Sequence, residues 1–250
     1  MLKNIFTYWD GPKSEVIEDL EEILEKRCSK ESYALHKLTK ESIKQYIKFP
    51  DAVFDLPHIV DATDFLRVKL LKQYGGIWLD SDVLVRESLD GLFKSIEEKS
   101  GFFIGFYVFG KLIGFNNAIL GAKDHTDFYK KWEEHNDLMF ESNTHIGKSL
   151  PFGNSYLNHN ARKASPNDFL ILDGVGSKIE PFSSLRSRLL LAEEDPLDIV
   201  NSNAPLIHFF KKNHAKYDSM EISEKEKTLL YKLIKKTQNE NNNSGEHTHD

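Results

Sequence analysis

The chain has 250 residues, 40% of them hydrophobic and 29% charged, with a formal net charge of −6. That is ample for a soluble domain with its own core, and the acidic balance argues against general nucleic-acid binding, which wants a basic face. The single cysteine, Cys28, excludes an internal disulfide, and no apolar run approaches the ~20 residues that span a bilayer.

Asn4 to Trp9 reads as a first strand stopped by Asp10-Gly11-Pro12, and the same residues break any secretory-signal pattern, so a cytoplasmic protein is expected. Ser14 is placed to cap a helix in which Val16, Ile17, Leu20, Ile23 and Leu24 recur at helical spacing. Ser32 to Leu38 reads as a second strand, and Thr39 opens a helix through Tyr46. After a loop punctuated by Pro50 and Pro57, a helix is expected from Asp61 to Tyr74, with Asp61 as N-cap, Asp64 completing the cap, and Gly75 as the stop. A strand through Ile77 and Leu79 follows. Phe102 to Phe109 and Ile113 to Gly121 read as strands, Asp124 to Phe140 as a helix, Asn154 to Arg162 as a short helix and Phe169 to Leu172 as a strand. A Lys-bearing helix runs from Ser223 to Thr237, with Leu229, Leu230, Leu233 and Ile234 as its stripe. That stripe either packs on the domain or rests on an anionic membrane surface. The order argues an α/β fold opening with a largely parallel sheet. No linker divides residues 1–238, which are expected to form one domain, and the polar segment 239–250 is expected to be a disordered tail in which His247 and His249 are bystanders.

The chemistry concentrates at Tyr74-Gly75-Gly76-Ile77-Trp78-Leu79-Asp80-Ser81-Asp82. In an extended chain residues i and i+2 share a face, so Trp78, Asp80 and Asp82 line one side while Ile77 and Leu79 face the other. Two carboxylates on one face repel unless a cation sits between them, and Mg²⁺ and Mn²⁺ bind in this way together with phosphate oxygens. By itself the pair is also compatible with two solvated carboxylates at a strand end. One helix turn upstream, Asp64 and Arg67 are neighbours on a helix surface, either as a cap with its salt-bridge partner or as a binding pair.

Taken together, Ile5-Phe6-Thr7-Tyr8-Trp9-Asp10-Gly11, Asp64-x-x-Arg67 and Tyr74 to Val83 resemble the DxD-containing, sugar-binding-region glycosyltransferases of family 32 and the capsular polysaccharide synthesis proteins close to them. The likeness covers roughly residues 3–122, with fainter echoes to about residue 215. It implies a GT-A fold, with residues 1–85 as the nucleotide-binding part and 86–238 as the acceptor side. It further implies a nucleotide-sugar donor, uracil-linked by family habit, and a Mn²⁺ or Mg²⁺ ion bridging the diphosphate. By position, Trp9 would stack on the base and Tyr8 contact it through its backbone. Asp64 and Arg67 would meet the donor sugar and ribose, and Asp80 and Asp82 would carry the metal, with Asp80 also on the donor. A further metal contact is expected from His208, in Pro205-Leu206-Ile207-His208-Phe209-Phe210, with His214 in reserve and Lys211 and Lys212 near the diphosphate. Asn117, in the segment Asn116 to Gly121 that precedes His125, matches the family's sugar-side asparagine. The family's Thr-Gly-Pro is replaced here by Ile146-Gly147-Lys148 and Leu150-Pro151-Phe152-Gly153, a departure on the acceptor side.

The resemblance implies transfer of a hexose from a nucleotide diphosphate sugar to a glycan or lipid-linked glycan, with retention, in surface polysaccharide synthesis, and possible contact with the inner face of a membrane. Three alternatives remain at this point. Leu79-Asp80-Ser81-Asp82-Val83 superficially fits the nucleophile loop of haloacid-dehalogenase-type phosphatases, a nucleotide- or glycan-binding module without turnover would keep the same residues, and toxin relatives of the fold glycosylate proteins.

Overall fold

The computed structural model describes residues 2–108, 111–144, 146, 151–164, 167–173, 189–190, 205–209 and 214–243. Gly147, Lys148, Leu150, Phe210, Lys211, Lys212, His247 and His249 lie outside them.

The chain opens with β1 (Asn4–Tyr8), α1 (Glu15–Glu31) and β2 (Ala34–Leu38), followed by two short 3-10 turns, Ser42–Gln45 and Asp51–Asp55. Next come α2 (Ile59–Tyr74), β3 (Gly76–Leu79), β4 (Val83–Val85), α3 (Asp90–Glu98), β5 (Gly101–Val108), β6 (Lys111–Ala122) and α4 (Asp127–Glu141). The remainder is α5 (Asn154–Asn160), a 3-10 turn at Ala161–Lys163, β7 (Phe169–Asp173), β8 (Leu206–His208), α6 (His214–Asp218), α7 (Ile222–Lys225) and α8 (Leu229–Asn243). Six strands form one mixed sheet in the order β2-β1-β3-β6-β5-β7, while β4 and β8 pair antiparallel in a small second sheet. β1 runs parallel to both β2 and β3, and β6 runs antiparallel to β3 and β5.

The period-2 alternation sorts the sheet residues into two cores. Phe6, Trp78, Phe103 and Leu120 join Phe65, Tyr129, Trp132 and Phe152 on the α2, α4 and α5 side. Ile5, Ile77, Leu79, Phe102 and Ile119 join Leu24, Phe93 and Ile96 on the α1 and α3 side. A third cluster sets Val16, Leu20 and Ile23 of α1 against Leu84, Ile207 and the α8 residues Leu229, Leu230, Leu233 and Ile234. The apolar stripe of α8 is therefore covered by the domain and is not offered to a membrane. Among the described residues no helix is long and apolar enough to cross one.

Several expectations shift in detail. The segment after Thr39 makes only a 3-10 turn. The Lys-bearing helix divides into α7 and α8, and α8 runs to Asn243, through residues expected in the tail. Helix α2 starts two residues early, at Ile59 after His58. Asp61 is thereby placed in the first turn rather than at the cap, and Asp64 is free of capping duty. Ser14 does cap α1, accepting from the Ile17 amide at 3.4 Å.

The α2–β3 junction needs its two glycines. Gly75 has φ +61° and Gly76 φ +103°, conformations that L side chains rarely adopt. A Cβ on Gly76 would also land on the Asn4 carbonyl of the neighbouring strand. Gly76→Ala is expected to cost about 2–4 kcal/mol, read as a lowered urea midpoint with unchanged slope. A midpoint within error of the wild type would mean the junction tolerates a side chain.

Candidate active site

The chain leaves β3 in a tight turn that places Asp80 and Asp82 just beyond the strand. The Asp80 amide donates to the Ala118 carbonyl (2.8 Å) and the Val83 amide to the Asp80 carbonyl (3.1 Å). Ser81 Oγ donates to the Tyr8 carbonyl (2.8 Å) and lies 3.1 Å from Thr7 Oγ1, which ties the turn to the end of β1. On the shared face, Trp78 Nε1 donates to Asp80 Oδ1 at 2.7 Å. The small sheet brings in the third group. Val83 pairs with His208, and His208 Nε2 stands 3.1 Å from Asp82 Oδ1. Asp80, Asp82 and His208 each present one ligand atom, all within 4.8 Å of one another. Two carboxylates and an imidazole suit Mn²⁺ or Mg²⁺ with positions left for phosphate oxygens. Behind the histidine, the Asn116 side-chain amide stands 3.1 Å from His208 Nδ1, while Asn116 Oδ1 accepts from the Ala118 amide at 2.8 Å.

Arg67 links this turn to α2. Its Nη2 lies 3.0 Å from Asp64 Oδ1 and 3.1 Å from Asp80 Oδ1, and its Nη1 donates to the Asn117 carbonyl. Its guanidinium carbon sits 4.9 Å from the centre of the Trp78 ring. Asn117 Nδ2 donates to Asp64 Oδ1 at 2.7 Å. Asp64 is fully buried, and its Oδ2 finds no hydrogen-bond partner among the described residues. Gly153 presses on that oxygen so closely that a Cβ there would overlap it. Burial pushes the Asp64 carboxyl up to about 7, with Arg67 opposing and the charges of Asp80 and Asp61 adding. Asp80 is raised by loss of solvent and by Asp82, again against Arg67.

Two cavities open at this turn. One, of about 350 Å³, is lined by Thr7, Trp9, Asp10, Thr39, Asp80 and Ser81 among others. The other, of about 310 Å³, is lined by Tyr8, Trp9, Thr63, Arg67, Trp78, Asp80, Asp82 and His208, with Ile59 and Val60 exposed at its rim. Trp9 borders both, its Nε1 held at 3.2 Å by the carbonyls of Gly11 and Pro12. Tyr8, Trp9, Arg67, Asp80, Asp82 and His208 are thus brought to shared space. Asp64 and Asn117 are not cavity-lining; they stand behind Arg67. His214 begins α6, and its side chain lies outside the description. Ser81, Thr63, Asn116 and Gly153 also belong to the constellation and were not anticipated. Ser81 had a signal, since it lies between the two aspartates, but the others are joined only by tertiary contact.

The sheet order, with helices on both faces, is that of the GT-A fold. Residues 1–117 match the model of the family described as capsular polysaccharide synthesis protein, and over that stretch the chain is similar to it. No curated protein sequence matches the chain. Among solved structures it is similar to a glycosyltransferase involved in the glycosylation of the major capsid of PBCV-1. That match is 11% identical with a TM-score of 0.54, covering 87% of this chain and 97% of that one. It is also similar to the galactosyltransferase LgtC, solved with donor and acceptor sugar analogues, at 14% identity and a TM-score of 0.47, covering 82% of this chain and 86% of that one. At 11% identity the likeness to the capsid-glycosylating enzyme speaks for the fold alone.

The raised Asp64 carboxyl has a measurable consequence. With its folded value near 7 against about 4 when unfolded, the folded chain binds more protons between those limits, and stability falls as pH rises through that window. Asp64→Asn removes this component. In urea titrations with chelator present, the stability of wild type relative to Asp64→Asn should be greater at pH 5 than at pH 8, by more than about 1 kcal/mol. Equal differences at the two pH values would show that Asp64 is ionised throughout.

Proposed function

We propose that the chain transfers a hexose from a nucleotide diphosphate sugar, a UDP-sugar by family resemblance, to a glycan or lipid-linked glycan in surface polysaccharide synthesis. The observation that carries this is the Asp80–Asp82–His208 triad at the meeting of two cavities parted by Trp9. A base stacked on Trp9 would contribute about 1–3 kcal/mol of affinity. The 350 Å³ cavity, with the hydroxyls of Thr7 and Thr39, suits the nucleoside, and the 310 Å³ cavity, with Thr63 and Arg67, suits the sugar. Asp80, Asp82 and His208 would hold Mn²⁺ or Mg²⁺. Bound there, the ion supplies Lewis-acid stabilisation of the leaving diphosphate, worth several kcal/mol.

The chain's own residues set the geometry. Trp78 and Arg67 fix one oxygen of Asp80, so its carboxylate keeps one orientation toward the cavity. Arg67, itself held by Asp64 and the Asn117 carbonyl, presents positive charge where a sugar or phosphate oxygen would sit. Asp64 and Asn117 then act as positioning residues, a narrower role than direct sugar contact. Retention fits same-face attack, in which the leaving phosphate oxygen takes the acceptor proton and no separate base is needed.

The test is a thermal-shift series with UDP and GDP, each with and without Mn²⁺, on wild type and Asp82→Asn. A nucleotide at about 100 times its Kd stabilises the fold by about 2.7 kcal/mol, roughly 5–10 °C for a chain of this size. The expected result is a UDP shift that requires Mn²⁺ and disappears in Asp82→Asn. No shift with any nucleotide would remove the main support for this function. Release of UDP from a panel of UDP-hexoses, absent in Asp82→Asn, separates an enzyme from a binding module.

A further inference from the structure

The largest cavity described, about 560 Å³, is far from the metal triad along the strands. Gly76, Ala122, Gly101 and Phe169 stand in register across β3, β6, β5 and β7. They mark one end of the sheet, whereas Asp80 leaves β3 at the other. The cavity opens at the first end, between the starts of β5 and β7 and the helices α4 and α5.

We propose that this cavity is a second carbohydrate site, one that takes an uncharged stretch of glycan. A sugar ring has an apolar C–H face and an edge of hydroxyls that both donate and accept. The lining offers a match to each. Phe128, Tyr156 and Phe169 contribute aromatic rings, with Phe128 5.3 Å from Phe169 and 5.9 Å from Tyr156. Trp132 stacks on Tyr156 at 5.4 Å and 14°, which fixes that ring from behind. Around them stand two exposed carboxylates, Asp127 and Asp168, and two exposed ammonium groups, Lys131 and Lys163. Their formal charges cancel. Acceptors and donors are therefore both present, and no net charge draws an anionic ligand in preference to a neutral one.

Thr126 adds a second, independent observation. It precedes α4, where a threonine ordinarily accepts from the first turn of the helix. Here it makes no such bond, and its buried Oγ1 finds no partner among the described residues. An unpaired buried hydroxyl carries a desolvation cost, and Thr126 borders this same cavity. The volume lies within the roughly 300–1,000 Å³ typical of ligand cavities.

Such a site would grip one part of a glycan while another part meets the transfer centre, raising the acceptor's effective concentration there. Binding at this end needs neither the metal nor the nucleotide, so the proposal stands apart from the function proposed above. The experiment is a microarray of bacterial polysaccharides and defined neutral and acidic oligosaccharides, probed in EDTA. Wild type, Asp82→Asn and the surface double variant Lys131→Ala/Asp168→Ala are compared. A neutral glycan captured by wild type and by Asp82→Asn, with signal at least tenfold lower in the double variant, is the expected result. The double variant should keep the wild-type Tm and the UDP–Mn²⁺ shift, which separates loss of the site from loss of the fold. Capture of no neutral glycan would overturn the proposal. So would preference for acidic glycans, or capture that survives in the double variant. Loss of the UDP–Mn²⁺ shift with glycan capture intact would count against the transferase reading and leave this site standing.

Discussion

Arg67 brings a full positive charge to a place where it is 2% exposed, and a charge so far from water costs several kcal/mol unless its partners compensate. Here they do so from four directions: Asp64 on the same helix, Asp80 in the turn after β3, the Asn117 carbonyl on β6 and the face of Trp78. Each partner belongs to a different element. The guanidinium can be satisfied only when α2, β3, the turn and β6 are all in place, so the compensation is cooperative with the fold. A buried ion network of this kind is weak evidence of stability in itself, because an apolar replacement of similar shape often does as well. It is better read as a device that keeps the Asp80 carboxylate in one orientation, which a metal site demands and an apolar core does not.

Much of the site is legible in the chain because local geometry writes it. Strand alternation puts Trp78 and Asp80 on one face, and their 2.7 Å hydrogen bond is that alternation made concrete. Helical spacing makes neighbours of Asp64 and Arg67. The two glycines after Tyr74 mark a reversal that only residues without Cβ can make, and their positive φ angles agree. His208 could be suggested from its place after an apolar run, although its contact with Asp82 depends on the β4–β8 pairing.

What could not be read has one cause: contacts between distant segments leave no periodic trace. Gly153 lies 89 residues beyond the Asp64 oxygen it covers, in the segment whose sequence departs from the family pattern. Its neighbour explains why it sits there. Phe152 is fully buried, packs edge-on to Phe65 at 5.5 Å, and accepts at its carbonyl from Trp132 Nε1 at 2.9 Å. The wall over Asp64 is thus anchored in the core, and it keeps that carboxylate buried beside Arg67. The earlier start of α2 follows the same logic. A capping role for Asp64 would turn its side chain to the helix end, whereas the ion network draws it inward.

The histidine shows how closely the layers constrain each other. Because Asn116 Oδ1 already accepts from the Ala118 amide, its NH₂ group is the part turned to His208 Nδ1. Nδ1 must then accept, which leaves the imidazole proton on Nε2, facing Asp82. In that arrangement Nε2–H donates to Asp82, whose charge still bears on Asp80. Were Nε2 to serve as a metal ligand, a neutral His208 would carry its proton on Nδ1, where an amide oxygen rather than an NH₂ is the proper partner. The Asn116 amide would have to turn, giving up its bond to Ala118 in the strand that also holds the Asp80 amide. The Asp80–Asp82–His208 triad and the β6 backbone are therefore coupled through one side chain. Filling the triad would be felt in the strand that carries Asn117, and through the Asn117 carbonyl at Arg67.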